Sequence, residues 1–143
     1  MFLPTPTPPT TCLSTGCYHF LKGPISWMQA KTGCEEMNMR LVEIETEEEN
    51  RALTKEALRF LKPSEANYLW IGLTDRAKEG TWVWNSGREA TYTAWRSREP
   101  NNHRGNEDCA FYQFRSHGVW NDYDCEIKDQ NYQTIGAICE LSK

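Results

Sequence analysis

Six cysteines in 143 residues constrain this chain more than any other feature of its sequence. In a chain this short they read as a disulfide framework and point to an oxidising compartment. Six cysteines allow fifteen pairings, and the sequence alone does not choose among them. A zinc site is the competing use of cysteine. It fails on spacing, because no Cys-x2-Cys pair occurs and His19, His103 and His117 are scattered.

The length fits one domain of ordinary size. The net charge is -4 and the pI about 5.4, so there is no basic patch to neutralise phosphates and nucleic acid is excluded as a partner. No apolar run reaches the length of a transmembrane helix. Residues 1–11 are rich in Pro and Thr and lack the basic and apolar regions of a signal peptide. They are expected to be a flexible N-terminus ahead of a domain spanning 12–143, with secretion as the expected fate. No Asn-x-Ser/Thr acceptor occurs.

Cys17 to Leu21 reads as a first strand. Ser26 can cap a helix carrying Trp27, Ala30, Cys34 and Met37 near helical spacing. Leu41 to Ile44 reads as a second strand. Thr46 and Glu49 form an expected capping box, and Leu53, Ala57, Leu58 and Leu61 an apolar face, ended by Lys62-Pro63. Tyr68 to Leu73 reads as a buried strand with Gly72 where a side chain would crowd. Thr81 to Trp84 reads as another, closed by the turn Asn85-Ser86-Gly87. Asp108 to Phe114, His117 to Trp120 and Ile135 to Leu141 complete an α+β order.

Between Arg88 and Asn106 periodicity is lost, and loops of that length are usually functional or disordered. A bound metal ion would order this one. It runs into an alternation of carboxylates and carboxamides: Glu99, Asn101, Glu107, Asn121 and Asp122. All are hard oxygen donors of the kind Ca²⁺ takes six to eight of, unlike the sulfur and nitrogen ligands that zinc or copper select. Three acids and two amides exceed the ion's charge by one. Pro100 between Glu99 and Asn101 can adopt cis at modest cost, which would turn both side chains toward one point.

Glu99-Pro100-Asn101, Glu107-Asp108-Cys109, Trp120-Asn121-Asp122 and Trp70-Ile71-Gly72-Leu73, in this order with these cysteines, resemble the C-type lectin domain over residues 12–141. The Glu-Pro-Asn form resembles the mannose-type subgroup. The resemblance implies a C-type lectin fold, with two helices, mainly antiparallel sheets and a long calcium-binding loop. It implies the pairs Cys34–Cys139, Cys109–Cys125 and Cys12–Cys17, although Cys12 and Cys17 are closer than the family's usual N-terminal pair and Cys12 could instead bridge another chain. The segment Glu126 to Ile138 is longer than usual and suggests an extended hairpin or loop without an assigned role.

The ligands implied are Ca²⁺ and glycans with equatorial 3- and 4-hydroxyls, namely mannose, glucose and N-acetylglucosamine. Each hydroxyl would donate to a carboxylate and accept from an amide, Glu99 paired with Asn101 and Glu107 with Asn121, because an ionised carboxylate only accepts. The sugar would meet Glu99, Asn101, Glu107, Asn121 and Asp122. His103 would either pack on its ring or lie in solvent, and Arg104 reads as a solvated charge. Asp75, Glu79, Asn102, Glu107 and Asp108 match an auxiliary calcium site, with Asn102 where an acid is common. The bland reading of Asp75 and Glu79 is a charged turn. Trp27, Trp70, Trp82, Trp84 and Trp120 read as core residues, while Trp95 is left open.

A glycosidase would need a carboxyl acid with a raised pKa, and nothing in the sequence suggests one. No hydrolase elbow or P-loop occurs, so an enzyme is not expected. The other class is a C-type-lectin-like module that binds a protein, ice or mineral surface without sugar. The intact Glu-Pro-Asn and Trp-Asn-Asp triplets argue against it. The family analogy points to innate defence, and a weak single site argues for a homodimer or higher oligomer.

Overall fold

The computed structural model describes residues 9–102, 105, 107–126, 129–130 and 133–142. The strands are β1 (Thr11–Leu13), β2 (Gly16–Leu21), β3 (Arg40–Leu41), β4 (Tyr68–Thr74), β5 (Val83–Trp84), β6 (Cys109–Gln113), β7 (Val119–Tyr123), β8 (Asp129–Gln130) and β9 (Gln133–Glu140). The helices are α1 (Trp27–Glu36) and α2 (Glu47–Phe60). Strand order is β1-β2-β9-β4-β6-β7, with β3 and β8 pairing to β9 and β5 to β4. The β4–β9 pair is parallel and the other pairs are antiparallel.

β9 organises the sheet. Ala137 faces Leu21 of β2 on one edge and Trp70 of β4 on the other, and Cys139 likewise sits between His19 and Leu41. Alternation then sends side chains to two cores. Leu69, Ile71 and Leu73 of β4, Ala110 and Tyr112 of β6 and Ile138 of β9 pack with Leu53 and Ala57 of α2. Trp70, Phe111, Ala137 and Cys139 pack with Trp27, Ala30 and Cys34 of α1. Both faces of β4 are covered, which is why Tyr68 to Leu73 reads as one apolar run.

All three disulfides implied by the resemblance are present: Cys12–Cys17, Cys34–Cys139 and Cys109–Cys125. Cys34–Cys139 staples α1 to β9 across 105 residues, worth about 4–5 kcal/mol on the chain-entropy argument. Cys12–Cys17 closes the β1–β2 hairpin, in which the two are direct partners. The implied internal pair is thus the one formed, rather than the alternative bridge from Cys12 to another chain.

Several local expectations are corrected. Ser26 and Gln29 form the reciprocal capping box. At α2 the Thr46 hydroxyl accepts from Glu49 N–H at 3.1 Å, but the Glu49 carboxylate does not return the bond to Thr46. It accepts instead from Tyr18 O–H at 2.5 Å and Glu45 N–H at 2.9 Å. Leu58 is half exposed, so the apolar buried face of α2 is Leu53 and Ala57, continued by Leu61 at its C-cap. The Leu41 strand is shorter than expected, but Val42 N–H still donates to Ile138 O and Val42 O accepts from Gly72 N–H. A Cβ on Gly72 would stand 3.0 Å from Leu41 O, the crowding expected there. His117 lies in a left-handed turn ahead of β7, not within it. In the long Glu126–Ile138 segment the β8–β9 hairpin is described, while residues 127, 128, 131 and 132 lie outside the described residues.

The packing around β9 leaves no slack at Gly136. A Cβ there would meet Leu21 O at 2.2 Å and Gly23 N at 3.3 Å. Gly136→Ala is expected to force β2 and β9 apart and lower stability by about 2–3 kcal/mol, read as a drop in the urea midpoint at unchanged slope. A midpoint within error of the parent would show that the edge yields freely.

Candidate metal and ligand site

The site is built from the end of the long loop and from β7. Backbone hydrogen bonds and ring contacts tie the loop to the core. Trp95 bridges to Trp120, Trp120 N–H donates to Ala94 O at 2.8 Å, and Arg96 N–H donates to Trp120 O at 2.8 Å. The Trp95 ring meets those of Trp82 and Trp120 edge to face at 4.8 and 5.9 Å, so the tryptophan left open by the sequence is a packing residue. The loop therefore reaches Glu99 at a defined height above β7.

The Glu99-Pro100 peptide is cis, and Asn101 Nδ2 donates to Glu99 Oε1 at 3.2 Å. Asp122, fully buried, pins the tripeptide to β7. Its Oδ1 accepts from Asn101 N–H at 3.1 Å and its Oδ2 from Asn102 N–H at 2.7 Å. Asn102 Oδ1 in turn accepts from Glu107 N–H at 3.1 Å. The consequence is convergence: carboxylate oxygens of Glu99, Glu107 and Asp122 all lie within 4.8 Å of one another. Asn121 follows Trp120 on the same strand, and its Oδ1 is buried without a hydrogen-bond partner among the described residues, as is Glu99 Oε2.

A second group lies beside the first. Oxygens of Asp75, Glu79 and Asp108 also fall within 4.8 Å of one another. Asp75 Oδ2 accepts from Gly80 N–H at 2.9 Å, while Asp75 Oδ1 and Asp108 Oδ1 are buried without a partner among the described residues. Of the five residues expected here, Glu107 has its carboxylate in the first group, and Asn102 uses its side-chain oxygen within the loop. His103 and Arg104 lie outside the described residues.

The electrostatics are those of crowded acid. Burial, then the adjacent Asp122 and Glu107 charges, push the Glu99 carboxyl up to about 7. Burial also raises Asp75, with Glu79 adding to it, and raises Asp108, with Asp75 adding to it. The sequence offered no sign of this. The same elevation would suit an acid catalyst, but the carboxamides interleaved with these acids suit coordination better than proton transfer. Crowded carboxylates with spare oxygens on Glu99, Asp75 and Asp108 fit a hard divalent cation, which would supply positive charge.

A family model described as the lectin C-type domain matches residues 23–140. The chain is 37% identical over 127 residues to the low affinity immunoglobulin epsilon Fc receptor of Mus musculus, covering 88% of this chain and 36% of that protein. It is also 37% identical over 111 residues to the hepatic lectin of Gallus gallus, covering 76% and 49%. The chain thus spans roughly a third to a half of the length of these relatives. Among solved structures it is similar to the cow C-type carbohydrate-recognition domain of CD23 in the presence of GlcNAc2Man3 oligosaccharide. The TM-score is 0.73 and the identity 30%, over 94% of this chain and 98% of that one. These relatives are lectins and receptors rather than enzymes, and the chain belongs to the C-type lectin domain family.

Proposed function

We propose that residues 12–143 form a calcium-dependent carbohydrate-recognition domain, part of a secreted protein, for glycans presenting equatorial 3- and 4-hydroxyls. Mannose and N-acetylglucosamine are the reference ligands, and recognition of foreign surfaces in innate defence is the fitting role. The observation that carries the reading is the convergence of Glu99, Glu107 and Asp122 beside the unpartnered Glu99 Oε2 and Asn121 Oδ1. The relative solved with GlcNAc2Man3 oligosaccharide supports the sugar class.

Glu99, Asn101, Glu107, Asn121 and Asp122 would hold Ca²⁺, and Asp75, Glu79 and Asp108 a second ion. When bound, the ion supplies the positive charge that vicinal hydroxyl oxygens seek. The chain's own residues set which hydroxyls fit. Glu99 and Glu107 accept from the two hydroxyl protons, and the Asn101 and Asn121 amides donate to the hydroxyl oxygens. Asp122 keeps Asn101 and Asn102 in register through their backbone N–H groups. Among the described residues no helix is long and apolar enough to cross a membrane.

The test exchanges donor for acceptor. Glu99→Gln with Asn101→Asp keeps the oxygen count and the summed charge. At saturating calcium the parent is expected to bind immobilised mannan and to be inhibited by mannose well before galactose. The double variant is expected to lose that preference and gain galactose inhibition relative to mannose. Failure of the parent to bind mannan, or an unchanged inhibition ratio, would sink the assignment.

A further inference from the structure

The three disulfides stand in unlike surroundings. Cys34, Cys139, Cys109 and Cys125 are buried in the core beneath α1. Cys12 is exposed and Cys17 is half-buried. β1, which carries Cys12, is also the last strand in the sheet order, with β2 as its one ladder partner among the described residues. A thiolate must reach a disulfide sulfur to exchange with it, so access selects this pair.

Ring size points the same way. Cys12 and Cys17 are 5 residues apart in sequence, against 105 and 16 for the other pairs. The shorter the loop, the less chain entropy its bridge removes from the unfolded chain, so the least stability is lost when this one opens. Opening also leaves the frame in place. Cys17 stays with the sheet, because its carbonyl accepts from the N–H of Leu141, just after β9, at 3.0 Å. β1 keeps its ladder to β2, the packing of Leu13 and the Thr15 hydroxyl 2.8 Å from that of Tyr18.

We propose that Cys12–Cys17 is a thiol-exchange site, which takes a small thiol of the glutathione class on Cys12. The incoming thiolate attacks Cys12 Sγ. The bond between the two cysteine sulfurs breaks, and its electron pair leaves on Cys17 Sγ, which takes a proton from water. This step leaves a mixed disulfide at Cys12 and a free thiol at Cys17, with no net change of oxidation state. A second small thiol attacks the carried sulfur, departs with it as a disulfide and leaves Cys12 as a thiol, so two electrons pass to the protein's pair. Reclosure is intramolecular, because Cys17 faces Cys12 across the ladder. What the modification changes is β1: without the bridge it can leave β2, whose edge then lacks a partner.

Glutathione is the probe. The folded parent, with calcium, is held in buffers of graded reduced-to-oxidised glutathione ratio, and free thiols are trapped with iodoacetamide before peptide mapping. The expected product carries glutathione on Cys12 and the alkyl label on Cys17. It is expected to form about tenfold or more faster than any product at the other pairs, since access sets the rate. Amide hydrogen exchange of this product is expected to quicken within residues 11–18 and to match the parent in β4 and β6. Cys12→Ser with Cys17→Ser is expected to take no glutathione and to keep the parent's circular dichroism. Labelling spread over all three pairs, no adduct at any of them, or glutathione carried on Cys17 overturns the proposal. So does exchange that quickens in β4 and β6, or a double-serine chain that fails to fold, since the bridge would then hold the sheet together.

Discussion

Chelating divalent cations is expected to abolish binding to mannan and to lower the melting temperature, and the stabilisation restored by Ca²⁺ is expected to grow with pH. Glu99, Asp75 and Asp108 all have carboxyl pKa values raised by burial and by neighbouring acids. A raised carboxyl binds its proton more tightly in the folded chain than in the unfolded one. In the chelated protein this stabilisation is present in acid and is lost as pH rises toward about 7, the folded value of Glu99. Calcium needs the same oxygens deprotonated, so it competes with protons. The calcium-induced shift is therefore expected to be small near pH 5 and full near pH 8. At a hundredfold excess over Kd, full occupancy of one site is worth about 2.7 kcal/mol. Thermal scans with calcium and with chelator at both pH values read this directly. Mannan binding that survives chelation would sink the calcium reading.

Trp120→Ala costs about 3–5 kcal/mol, a large part of the stability of a domain this size. Trp120 is fully buried and meets Trp84, Tyr92 and Trp95 edge to face. Its indole N–H donates to Asn50 Oδ1 at 2.9 Å, and its backbone carries the loop through Ala94 and Arg96. Truncation opens a cavity, strands the Asn50 oxygen and removes the support beneath Glu99. Trp120→Phe keeps most of the ring packing and loses the hydrogen bond, so it is expected to cost about 1–3 kcal/mol and to retain sugar binding. Urea unfolding of both variants, with mannan binding of the phenylalanine form, checks the account. An alanine variant within about 1 kcal/mol of the parent would mean that the loop holds its own shape.

The motifs and the period of the sequence carried the frame because they report on burial and ligand chemistry. The apolar run of β4, the cap at Ser26 and the clustering of oxygen donors around Glu99 each follow from one local pattern. What stayed hidden depended on distant partners. Glu49 looks like a capping-box acid, but Tyr18, far away in sequence, claims its carboxylate. Leu58 keeps helical spacing with Leu61, yet only the direction of α2 against the sheet decides that it faces water. The β1 strand was not read as a strand, and its Thr11 was given to the flexible N-terminus, because its three residues carry no alternation; only its pairing to β2 makes it a strand. Trp95 shows the same limit: nothing in a polar loop says that Trp82 and Trp120 will converge on it. The elevation of Glu99 arises from burial and then from Asp122 and Glu107, brought together by chain reversal rather than by spacing.

The position of β9 has a consequence for the order in which this chain can be made. β2, β3 and β4 all lean on residues 135–140, while the loop and carboxylates of the candidate site are complete by Asp122. During synthesis, the candidate site is therefore translated before the strand that holds its foundations together. A nascent chain halted at residue 126 has its ligand residues and the Cys109–Cys125 pair, but Cys34 has no mate and β2 and β4 have no common neighbour. Such a chain exposes unpaired strand edges, the state in which aggregation competes with folding. Completion of the fold thus depends on β9, near the end of the domain, rather than on the residues of the candidate site.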